Sequence, residues 1–138
     1  MRAIAAIVAL VMATLGLVAV VVFGLGDRRT FVSPPEAVVE DLVRALQCRR
    51  FRQSAKYFTR DARARVSPAL LADVTARLES RIGRIEKVAA EDGWMAGDDA
   101  EAVAVLGTDQ RDDVRVPLRL HREKGEWRVV GIEGLAAP

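Results

Sequence analysis

Residues 114–121 read Val-Arg-Val-Pro-Leu-Arg-Leu-His, with Val114, Val116, Leu118 and Leu120 on one side and Arg115, Pro117, Arg119 and His121 on the other. A strict period of two is a β-strand that packs one face on a core and turns the other to water. Working outward, Ile85–Ala90, Ala102–Thr108 and Trp127–Ile132 alternate in the same way. Glu91-Asp92-Gly93, Gly97-Asp98-Asp99, Asp109–Asp113 and Lys124-Gly125-Glu126 separate the four strands. These connections are too short for helical crossovers, so the sheet is expected to be antiparallel. Pro117 cannot donate to a ladder and predicts an edge or a bulge.

Upstream of Gly83 the period is helical. Ser33-Pro34-Pro35-Glu36 has the composition of a capping box with first-turn proline, and Val38, Val39, Leu42, Val43 and Leu46 follow at spacings of three and four. This helix is expected to end near Arg49. A short helix over Phe51–Phe58 turns Ala55 and Phe58 inward, a loop covers Thr59–Val66, and Ser67-Pro68 opens a third helix carrying Leu70, Leu71, Val74, Leu78 and Ile82. Gly83 is placed to stop it. Helices first and a meander afterwards predict a segregated α+β class, about three helices on a curved antiparallel sheet of about four strands.

The start of the chain has a different composition. Residues 3–26 are 24 consecutive positions without charge, between Arg2 and Asp27. As a helix they reach ~36 Å, against a hydrocarbon thickness of ~30 Å. They are expected to form a single transmembrane anchor, with residues 27–33 as linker and 34–138 as the folded domain. A cleaved signal peptide is the competing reading, with Gly24-Leu25-Gly26 supplying small residues before Asp27, but its apolar stretch is normally only ~7–15 residues. Arg2 before the segment and Arg28-Arg29 after it nearly balance the positive-inside rule. The default N-terminal anchor places the C-terminal domain outside the cytoplasmic membrane.

With 138 residues the chain allows one globular domain. One cysteine, Cys48, and one histidine, His121, exclude a disulfide framework and a conventional zinc cluster. Cys48 reads as a small buried apolar residue on a helix. Net charge is +2, yet residues 44–65 carry +7 and residues 66–138 carry −4. The basic segment reads either as a solvated helical face or as a patch for anionic headgroups, with Arg49, Arg50 and Arg52 as contacts. Nucleic acid is not expected, because the only aromatics among these cations are Phe51, Tyr57 and Phe58 and no reader motif accompanies them.

The segments Pro35-Glu36-Ala37-Val38-Val39 to Leu46, Phe51 with Ala55-Lys56-Tyr57-Phe58, and Gly125-Glu126-Trp127-Arg128-Val129 together resemble the nuclear transport factor 2-like (cystatin-like roll) superfamily over residues 34–135. The resemblance implies a sheet wrapped as a cone around the first helix, with a pocket that some members use for small ligands and others for dimers. Behind a membrane anchor the arrangement is also similar to periplasmic scaffold subunits of secretion machines and to accessory membrane proteins of lipid-import systems. Architecture of this kind does not transmit function.

Little in the residues themselves points to catalysis. Tyr57 reads as an anchor of the helical layer, His121 as a solvent-facing residue on the polar side of its strand, and Asp98-Asp99 and Asp112-Asp113 as turn residues. There is no Gly-rich phosphate loop, Gly-x-Ser-x-Gly elbow or zinc-protease helix. The expectation is a non-enzymatic, membrane-anchored scaffold or binding domain with no catalytic, cofactor or metal residue. Its partner would be an envelope protein complex or a second copy; the alternatives are a carrier of a small apolar ligand or lipid in the cone, a secreted domain, and an isomerase- or dehydratase-like enzyme. Arg115, Arg119 and Arg128 are the sheet cations expected at an interface, since Arg is enriched at binding surfaces.

Overall fold

The computed structural model describes residues 32–136; the anchor expected at 3–26 lies outside them. Helix α1, Pro35–Gln47, buries Val38, Val39, Leu42, Val43 and Leu46 along one stripe. Its N-cap is Pro34, whose carbonyl accepts from the amides of Ala37 and Val38. Ser33 therefore sits one residue too early to cap, and the expected capping box does not form. The helix closes at Cys48, which is exposed and not buried, because it falls where the chain turns away through Arg49 at a φ of 61°.

Helix α2, Phe51–Ser54, runs into a 3-10 turn at Ala55–Tyr57 and delivers Phe58, fully buried, to the core. The stretch expected to be a loop holds a further helix, α3, Arg60–Arg65, capped by the Thr59 hydroxyl accepting from the Ala62 amide at 3.2 Å. The two buried apolar residues of that stretch, Ala62 and Val66, are too few to make a visible stripe, so the cap is the only local signal. Helix α4, Pro68–Ile82, starts at Ser67, which accepts from Leu70, and stops at Gly83 with φ at 97°. A Cβ at Gly83 would stand 2.4 Å from an Asp109 carboxylate oxygen, which accepts from the Arg84 amide. Four helices thus precede the sheet, where about three were expected.

The sheet is a curved antiparallel meander in the order β1-β2-β3-β4: Ile85–Ala96, Asp99–Thr108, Val114–Glu123 and Glu126–Val129. Glu91-Asp92-Gly93 lies inside β1 rather than ending it, and a bulge between Asp92 and Met95 takes up the break in alternation. Register places Ala90 and Val116 on either side of Ala104, and Ala102 beside Leu118, all on the face toward the helices. Helix α1 packs against β1, β2 and β4. Val39, Leu42, Val43, Ala102, Ala104, Val116, Leu118 and Leu120 are each at most 1% exposed, so side chains fill this face of the cone. Each such Leu or Val stabilises the fold by about 1.5–3 kcal/mol relative to exposure.

Strand β4 is shorter than its sequence pattern suggests. After Val129 the chain leaves the sheet, with the Val130 amide still donating to the Arg119 carbonyl, and forms helix α5, Glu133–Ala136. Leu135 is buried there against β3 and α4. Among the described residues no helix is long and apolar enough to cross a membrane.

Candidate functional site

The outward face of the sheet carries the odd-numbered residues of β2 and β3. There Glu101 stands opposite Arg119, and Val103 opposite Pro117. Because Arg119 turns its carbonyl toward Val130, Pro117, two residues earlier, turns its backbone the same way, away from β2. Its missing N–H therefore costs the β2–β3 ladder nothing. Helix α5 covers this side of β3 so closely that a Cβ on Gly134 would lie 2.0 Å from the Pro117 carbonyl oxygen.

Between the outward face of β2–β3 and the returning segment 130–134 lies an open groove of about 490 Å³. Pro117 and Val130 supply apolar wall; Glu101, Arg119 and Glu133 supply charge. Among the described residues Arg119 forms no ion pair. One cation and two carboxylates lining one groove can hold a molecule bearing both charges.

His121 lies next along this face, about 6.5 Å from Arg119 at the usual strand rise. Its Nδ1 is 2.8 Å from an Asp99 carboxylate oxygen on the adjacent strand. The hydrogen bond to Asp99, with the negative charges of Asp99, Asp98 and Glu123, raises its pKa above the ordinary value of 6.5, against a smaller desolvation effect. With Nδ1 bound to the carboxylate, the neutral ring presents Nε2 as a base. Glu101 and Glu133 in the groove, and His121 further along the same face, are groups able to carry a proton.

The six arginines singled out from the sequence are dispersed. Arg49, in the turn after α1, pairs with Glu79 of α4 at 2.8 Å; Arg50 and Arg52 are exposed beside it. Arg115 pairs with Glu91 of β1 and with Asp113 at 3.2 Å, and its pKa is raised, first by the hydrogen bond to Glu91. Arg128 donates to the Lys56 carbonyl and pairs with Glu126, tying β4 to the 3-10 turn. Only Arg119 lines the groove. Glu133 and the His121–Asp99 pair were not visible in the sequence, since the alternation names a face but not the neighbour across it. Among the described residues no cluster of three or more His, Cys, Asp or Glu could hold a metal ion.

No protein-family model and no curated protein matches the chain. Among solved structures, the crystal structure of a candidate NTF2-like transpeptidase from Campylobacter jejuni superposes with a TM-score of 0.56 at 14% identity, covering 71% of this chain and 98% of that one. The domain has an NTF2-like fold. At this identity the likeness establishes fold alone. The expectation of a non-enzymatic protein is withdrawn, since the similar structure carries the name of an enzyme. Absent sequence motifs do not argue against an enzyme, as sites on a common fold arise from residues distant in the chain.

Proposed function

We propose that the domain binds a small peptide-like amphiphile in the outer groove, at the extracytoplasmic side of a membrane to which residues 3–26 anchor it. Arg119 takes the carboxylate, in the bidentate geometry that guanidinium favours. Glu101 and Glu133 face the amino group, and Val130 with Pro117 receives the apolar portion. His121, held by Asp99, stands beside the bound molecule as the group able to accept or return a proton.

The observation carrying this reading is a guanidinium without an ion-pair partner among the described residues, in an open groove flanked by two carboxylates. The transpeptidase name of the Campylobacter jejuni protein favours a peptidyl ligand over a lipid. The filled inner face favours the outer groove over the cone as its seat. The test is calorimetric titration of the full chain in lipid nanodiscs with tri-alanine and with its C-terminal amide. Binding of the acid, weakened about tenfold in the amide and equally in Arg119→Gln, is the expected result, roughly the loss of one charge-assisted hydrogen-bonded pair. Equal binding of acid and amide, or no binding of either, overturns it.

A further inference from the structure

Strand β1 carries an extra residue beside the groove. Asp92 pairs with Ala102 and Met95 with Ala100, so Gly93 and Trp94 together oppose Glu101 alone. Gly93 takes up the irregularity, since a Cβ there would stand 2.6 Å from the Glu101 carbonyl oxygen. Bulges of this kind re-aim a side chain and are frequent next to functional sites.

The side chain re-aimed here is that of Trp94. Val88, Ala90 and Asp92 share the helix side of β1, and unbroken alternation would put Trp94 there next, across from Ala100. The bulge gives that place to Met95 instead. One position before Met95, Trp94 belongs to the outward face with Glu101, and Glu101 is in turn opposite Arg119. A single row therefore crosses the outward face from Arg119 on β3, through Glu101 on β2, to Trp94 on β1. Arg119 and Glu101 both line the groove, and Trp94 is 46% exposed. Ala96, two positions along the same face, offers only a methyl group toward covering the indole.

We propose, resting on the peptide reading of the groove, that Trp94 is the subsite for the amino-terminal side chain of the bound peptide, and that it selects an aromatic one. Two strand spacings separate Arg119 from Trp94, about 9.6 Å, and three extended residues span about 10 Å. With its carboxylate on Arg119, a tripeptide laid along the row brings its first residue over β1. The amino group is then in range of Glu101, and the side chain meets the indole. A phenyl group stacks on a ring otherwise half in water, in the offset or edge-to-face arrangement that aromatic pairs favour. An alanine methyl is too short to cover it. The bulge thus extends the groove onto a third strand.

Calorimetric titration of the full chain in lipid nanodiscs with Ala-Ala-Ala and Phe-Ala-Ala tests the subsite. Phe-Ala-Ala is expected to bind about tenfold more tightly. Trp94→Ala should bring the two peptides to equal affinity, and Trp94→Phe should keep the preference. Acrylamide quenching gives a second readout, because the chain has two tryptophans and Trp127 is only 4% exposed. Phe-Ala-Ala at saturation should shield Trp94 from the quencher, and Ala-Ala-Ala should shield it less. Tri-alanine binding with no gain from the phenyl group, or a gain that survives Trp94→Ala, overturns the Trp94 subsite and leaves the groove reading in place. Binding of neither peptide overturns both.

Discussion

Enlarging the inner face of the cone distinguishes a filled core from a ligand pocket. Ala104 is 0% exposed, between Ala90 and Val116 on the face that α1 covers with Val39, Leu42 and Val43. Ala104→Leu adds three carbons where side chains already meet. Overpacking of this kind costs about 1–3 kcal/mol, whereas an empty pocket would accept the same atoms with a gain from their burial. With an unfolding entropy of about 2.1 cal/mol/K per residue, a domain of about 105 residues loses roughly 9 °C of Tm for 2 kcal/mol. Thermal unfolding of the full chain in detergent, followed by circular dichroism at 222 nm, is the assay. An unchanged or raised Tm would show room inside the cone and return the ligand site to it.

Other perturbations probe the groove and the joints. Gly134→Ala drives a methyl into the Pro117 carbonyl, so α5 must lift from β3; a loss of about 1–3 kcal/mol is expected in urea unfolding, with weakened tri-alanine binding. Thr108→Val removes a hydroxyl that donates to the Ile82 carbonyl at 2.5 Å and accepts from the Arg111 amide at 2.9 Å, and should cost about 1–3 kcal/mol by the same measurement. His121 has a folded pKa above its unfolded one, so its stabilising contribution is full below pH 6.5 and disappears as pH rises through the folded value. An NMR titration of this single histidine should show the raised midpoint, and Asp99→Asn should return it to the ordinary range; an unmoved midpoint would deny the Asp99 contact.

Interactions among near neighbours in the chain were legible beforehand. The α1 stripe, the Ser67 cap, the stop at Gly83 and the alternation of β3 all depend on residues two to four apart, and each is present in the structure. Where two local signals competed, the reading failed: Pro34 took the cap position that Ser33 was expected to hold, and Glu91-Asp92-Gly93 remained in strand because β2 supplied partners through a bulge.

By itself the sequence determined an α+β domain with a four-strand meander and identified which residues of β3 face water. Periodicity and capping are local, and a chain cannot bury its apolar residues without obeying them. Only tertiary structure decided which outward residues are neighbours. Asp99 meets His121 across 22 positions, and the groove exists because α5 returns to the open side of β3. Those contacts depend on strand register and on where a terminal segment docks, both set by the whole core at once.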